Sequence, residues 1–79
     1  MTTWKQELER VEAAALRIEE LERVAEERFD AAHARAEAAN DPRLALETPE
    51  FARWMQARAE TDEAWGRWAQ VMHDRPLDT

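Results

Sequence analysis

The sequence predicts an all-α protein: a long antiparallel two-helix hairpin that associates into a helical bundle. Three observations predict it. Apolar residues recur every three or four positions along most of the chain, as one face of a helix requires. The helix breakers Asn40, Asp41, Pro42 and Pro49 gather in one short stretch near the middle. No stretch shows the period of two that a half-buried strand needs.

The first helix is predicted over about 3–39. Thr3 with Gln6 fits a capping box, and Glu7 and Glu9 lie near the positive end of the helix dipole. No breaker follows until Asn40, so the helix should be about 54 Å long at 1.5 Å per residue. Its apolar face reads Trp4, Leu8, Val11, Ala15, Ile18, Leu21, Ala25, Phe29, Ala32, Ala36 and Ala39. Asn40 tolerates the left-handed backbone that ends helices, and Pro42 cannot continue one.

The corner is predicted at about 40–48, with 43–47 as a short helical turn capped by Asp41. The second helix is predicted over about 49–74. Thr48 is its N-cap, Pro49 its first residue, and Glu50 lies in its first turn. Arg75-Pro76 ends it, and the tail 75–79 should fray. Trp54, Ala57, Thr61, Ala64, Trp68 and Val71 make one apolar stripe, widened by Phe51, Met55, Trp65 and Met72. The whole chain, 1–79, reads as one domain.

A short corner between amphipathic helices folds them back on each other. With its centre near Leu44, facing residues have numbers that sum to roughly 88. The predicted hairpin core is Ile18, Leu21, Phe29, Phe51, Trp54, Trp65, Trp68 and Met72. On this register Phe51 and Trp54 meet the Ala-rich stretch 31–39, Trp65 and Trp68 meet Leu21 and Val24, and Met72 meets Leu16. Trp4, Leu8 and Val11 overhang with no partner in the chain. They are assigned to contact with a protein partner or a second copy, with a homodimer as first choice.

Composition narrows the function. The chain has 79 residues, 11 Lys+Arg against 18 Asp+Glu, and a net charge of -7. It has no Cys, which excludes a disulfide framework, a thiolate zinc site and a cysteine nucleophile. A single glycine, Gly66, excludes a Gly-rich phosphate loop. The acidic balance disfavours direct binding to a nucleic acid backbone. No apolar run approaches the ~20 residues that span a membrane. The N-terminus lacks the apolar region of a signal peptide, so a cytoplasmic location is expected.

Chemistry finds little footing. There is no Ser or Tyr. A carboxylate needs a desolvated pocket to act as a general acid, and a two-helix rod offers none. No catalytic residue and no cofactor is assigned, and the chain reads as a non-enzyme. Asp30, His33 and Glu37 share a helical face and resemble half of a di-metal bundle motif. The second half is missing, because Gln70 precedes His73 where a carboxylate belongs. The trio reads as a solvated face, with no metal site. Trp65-Gly66-Arg67-Trp68 superficially resembles the WxG motif of small secreted helical hairpins. It departs from that motif because Gly directly follows Trp, inside a helix. Gly66 is expected to make room for a ring or a crossing helix, within the hairpin or across an interface.

Charge is the remaining signal. Glu19, Glu20, Glu22, Glu26, Glu27 and Asp30 come level with Glu60, Asp62 and Glu63, as an acidic belt around the rod. Pairs such as Glu19 with Arg23 and Glu63 with Arg67 are expected to stabilise the helices. The preferred function is a self-associating helical protein–protein interaction module. The alternative is a small acidic inhibitor or decoy whose belt, centred on Glu26, Glu27, Asp30, Glu60, Asp62 and Glu63, fills a basic site on a nucleic-acid-binding protein. A phage or mobile-element anti-defence protein, such as an anti-CRISPR, is of this kind.

Overall fold

Thr3 opens α1 (Trp4–Ala38) in the computed structural model, which describes residues 3–77. Its hydroxyl accepts from the Gln6 N–H at 3.1 Å, and the Gln6 side chain accepts from the Thr3 N–H at 3.1 Å. The expected capping box is therefore complete. At the far end Ala39 is the C-cap and Asn40 takes a positive φ of 62°. The Asn40 N–H donates to the Glu37 carbonyl at 2.9 Å and the Asp41 N–H to the Ala36 carbonyl at 3.0 Å. This pairing is the Schellman arrangement, which occupies carbonyls the helix end leaves free.

The returning arm begins at once. A 3-10 segment, Pro42–Glu47, leads into α2 (Pro49–His73). The short turn expected at the corner is thus present and starts at Pro42. Asp41 does not cap it by its side chain. Instead its carbonyl accepts from the Leu44 N–H at 3.1 Å. Thr48 is the expected N-cap of α2. Its hydroxyl accepts from the Phe51 N–H at 3.2 Å and donates to the Ala45 carbonyl at 2.7 Å. One side chain therefore ties the 3-10 segment to α2.

The two helices pack along their length as an antiparallel hairpin of 60 × 15 × 15 Å. Neither is long and apolar enough to cross a membrane among the described residues. The buried residues are Val11, Ala15, Ala25, Ala32, Ala36, Ala45, Thr61 and Ala64. The seam is therefore alanine, with half-exposed rings closing over it. Residues 78 and 79 of the tail expected to fray lie outside the described residues; Leu77 is exposed.

The register corrects an expectation. Phe29 stacks on Trp54 with centroids 4.9 Å apart, and the Trp65 indole N–H donates to the Glu19 carboxylate at 3.0 Å. The numbers of residues that meet across the hairpin thus sum to about 79, not 88: Trp4 meets Val71, Ala14 lies beside Ala64, and Phe29 meets Phe51 and Trp54. The reason is where the chain reverses. The positive-φ turn at Asn40 does it, so the 3-10 segment belongs to the returning arm and packs on α1. Phe51 and Trp54 consequently meet Phe29, and the stretch 31–39 meets the 3-10 segment in its place.

The overhang disappears with that shift. The Trp4 indole N–H donates to the Val71 carbonyl at 2.7 Å, and the Arg75 guanidinium sits 5.6 Å from the Trp4 ring centroid. Val11 is buried and Leu8 half-buried within the hairpin. Trp4, Leu8 and Val11 are thus not an unmatched end. Two expected core residues are also misplaced, because Leu21 is 61% and Met72 36% exposed. Leu16, expected beside Met72, is exposed as well. Ile18, Phe29, Phe51, Trp54, Trp65 and Trp68, expected in the core, are half-buried.

Candidate interaction surfaces

The heptad on α1 is strict: Trp4, Leu8, Val11, Ala15, Ile18, Glu22, Ala25, Phe29, Ala32 and Ala36 alternate steps of four and three. Glu22, not Leu21, holds the inward position and is half-buried. On α2 the matching positions are Trp54, Ala57, Thr61, Ala64, Trp68 and Val71. An antiparallel heptad seam pairs the two kinds of inward position, which sets Ala25 level with Trp54, Ile18 with Thr61 and Val11 with Trp68. Trp54 Nε1, Thr61 Oγ1 and Trp68 Nε1 are buried with no hydrogen-bond partner among the described residues. They recur once per heptad along one row of α2.

The seam divides the surface into two flanks. One carries a pair of shallow grooves. The first, of about 380 Å³, is lined by Glu7, Arg10, Val11 and Ala14 of α1 with Ala64, Arg67 and Val71 of α2. The second, of about 360 Å³, repeats it two heptads on, with Leu21, Val24, Ala25 and Arg28 facing Pro49, Glu50 and Arg53. The same heptad steps place Arg17 and Arg35 on this flank. Arg10 pairs with Glu7 and Arg67 with Glu63. Arg17, Arg28, Arg35 and Arg53 form no ion pair among the described residues.

The other flank of α1 is acidic. The Glu19–Trp65 bond marks it, and heptad steps from Glu19 lead to Lys5, Glu12, Glu26 and His33, with Glu9, Leu16, Arg23, Asp30 and Glu37 alongside. Glu9, Glu12, Glu26 and Asp30 form no ion pair among the described residues. His33 Nε2 lies 3.5 Å from Glu37 and its ring 6.0 Å from that of Phe29. No group of three or more metal-binding side chains gathers among the described residues.

The expected acidic belt is split along the rod as well as between faces: the stretch 24–28 lies beside 49–53 and Ala14 beside Ala64, so Glu60, Asp62 and Glu63 stand about 15 Å along the axis from Glu26, Glu27 and Asp30. Glu26 and Asp30 belong to the acidic flank, whereas Glu60 and Glu63 fall on the grooved side of α2 and Glu27 lies on the back of α1. Asp62 shares the side of Trp65. The expected Glu19 to Arg23 pair is absent. Arg23 bonds Glu20 and Glu27 instead, while Glu63 does pair with Arg67 at 3.1 Å. The hydrogen bond from Arg23 holds the Glu20 carboxyl below its ordinary range, and Arg23 binds its own proton more tightly in return. Gly66 faces open space, since a Cβ there would meet nothing within 4 Å. It makes no room inside the hairpin.

No protein-family model, no curated protein and no solved structure matches this chain.

Proposed function

We propose that the protein is a non-enzymatic helical interaction module of the cytoplasm that self-associates through apolar helix surface, with a dimer as its smallest assembly. Surface area carries this reading. The chain exposes 6155 Å². That is about 1,200 Å² more than the surface of a globular monomer of 9.2 kDa. A standard interface covers about 800 Å² per partner. Leu16, Leu21, Leu44 and Leu46 are exposed, and no large side chain among the described residues is fully buried. Covering such surface contributes about 25 cal/mol per Å² of apolar area.

Light scattering across a dilution series tests the proposal, on wild type and on Leu16→Ser with Leu21→Ser. A wild-type multimer that the double change weakens supports it. A wild-type monomer at every concentration refutes it.

A second reading keeps the acidic inhibitor or decoy. It is supported by Glu9, Glu12, Glu26 and Asp30, which lie unpaired along one flank. Salt-sensitive binding to a nucleic-acid-binding protein, lost on Glu→Gln at Glu26, Glu27, Glu60 and Glu63, is its expected sign. Salt-insensitive binding counts against it.

A further inference from the structure

We propose that copies of the hairpin associate flank to opposite flank: the arginine grooves of one copy receive the acidic flank of α1 from the next. The inference rests on the self-association proposed above and specifies its surfaces. Unspent charges of opposite sign lie on opposite flanks of the same helix. Arg17, Arg28 and Arg35 stand on the grooved flank, and Glu12, Glu26 and Asp30 on the other. Each flank also presents one exposed leucine, Leu21 at 61% and Leu16 at 53%.

The spacings match. Arg17, Leu21 and Arg35 have the intervals of Glu12, Leu16 and Asp30. Two parallel α1 helices offset by the Leu16-to-Leu21 interval, about 7.5 Å along the axis, set leucine against leucine. The same offset sets Glu12 against Arg17 and Asp30 against Arg35; it also brings Arg23, whose charge is already taken by Glu20 and Glu27, opposite Arg28, with Glu26 within a turn. The apolar contact supplies binding energy and the ion pairs fix register.

Twofold contacts use these charges less well. Acidic flank on acidic flank gathers Glu12, Glu26 and Asp30 of both copies and places like charges across the contact. Side by side about a twofold along the rod, groove on groove sets Arg28 beside both Glu50 and Arg53 of the other copy and leaves the unpaired carboxylates of the acidic flank uncovered. Opposite-flank contact is heterologous, so each copy keeps one free surface of each kind. The assembly then grows into a ring or a filament and does not stop at two.

Two charge-inverted proteins test this, Arg17→Glu with Arg28→Glu and Arg35→Glu, and Glu12→Arg with Glu26→Arg and Asp30→Arg. Circular dichroism first checks that each remains helical. By light scattering at low salt, wild type should exceed a dimer and grow with concentration. Each inverted protein alone should associate at least about tenfold more weakly. An equal mixture of the two should regain the wild-type mass, because complementary flanks are restored. A wild-type mass that saturates at a dimer overturns the proposal. So does a wild-type multimer whose mass neither inversion changes, and so does loss in one inverted protein alone. A wild-type monomer at every concentration refutes self-association itself, and binding only to a foreign basic protein assigns the acidic flank to the decoy reading.

Discussion

Replacing Thr61 by Val probes the buried polar row on α2. Thr61 is 7% exposed, and its hydroxyl has no hydrogen-bond partner among the described residues. Folding therefore strips water from this group without replacing the bonds. An unsatisfied buried group costs about 1–3 kcal/mol. Val keeps the shape, and both residues are β-branched with similar helix propensity, so backbone effects nearly cancel. The variant should be more stable by about 1 kcal/mol, which raises Tm by about 4–8 °C in a domain of this size. Thermal melts by circular dichroism measure it. Protein concentration must be equal, because association moves Tm too. Destabilisation by about 1 kcal/mol or more would refute the reasoning, since it would mean that the hydroxyl is bonded in the native state.

Three further changes have definite signs. Gly66→Ala should stabilise by about 0.5–1 kcal/mol in urea titration, because Gly66 is helical and a Cβ there meets nothing. Marked destabilisation, or loss of association, would show that another chain approaches the glycine. Asn40→Ala should destabilise by about 1–2 kcal/mol because Ala resists the φ of 62°. Asn40→Gly at the same position should be neutral or slightly stabilising, and thermal melts of both compare them. Trp4→Phe keeps the ring but loses the N–H donated to the Val71 carbonyl, for a cost of about 1 kcal/mol in urea titration. No change would imply that the ends of the helices fray apart.

Much of the fold was legible because its signals are local. Thr3 with Gln6 and Thr48 with Pro49 satisfy nearby backbone donors, and Asn40 ends a helix by its own φ. The register was less legible, because it depends on where the chain reverses. Pro42 and Pro49 bracket a corner without saying which arm the residues between them join. The exchange of Leu21 for Glu22 has a different cause. Hydropathy favours Leu at the inward position, while strict alternation of four and three selects Glu22. The periodicity was the sounder signal, since one step places Leu21 in the groove. The flanks escaped notice for the same reason. Glu26 stands on the acidic flank and Glu60 on the grooved one, and only the heptad tells them apart.

The alanine seam raises a question of specificity. Ala15, Ala25, Ala32, Ala36 and Ala64 let the backbones approach closely, but alanine layers resemble one another. A seam made of them alone tolerates a slip by a heptad, because the inward pattern is preserved. The unlike layers must choose. In the observed register Phe29 stacks on Trp54, Trp65 reaches Glu19 and Trp4 reaches Val71. A slip of one heptad moves these partners about 10 Å apart along the axis. It breaks all three contacts and removes the aromatic stack, whose geometry contributes about 0.5–1.5 kcal/mol beyond its buried area. The rings that cover the seam therefore also fix its register. The same register holds Arg17, Arg28 and Arg35 on one flank of α1, away from Glu12, Glu26 and Asp30 on the other, because each inward layer fixes the rotation of its helix.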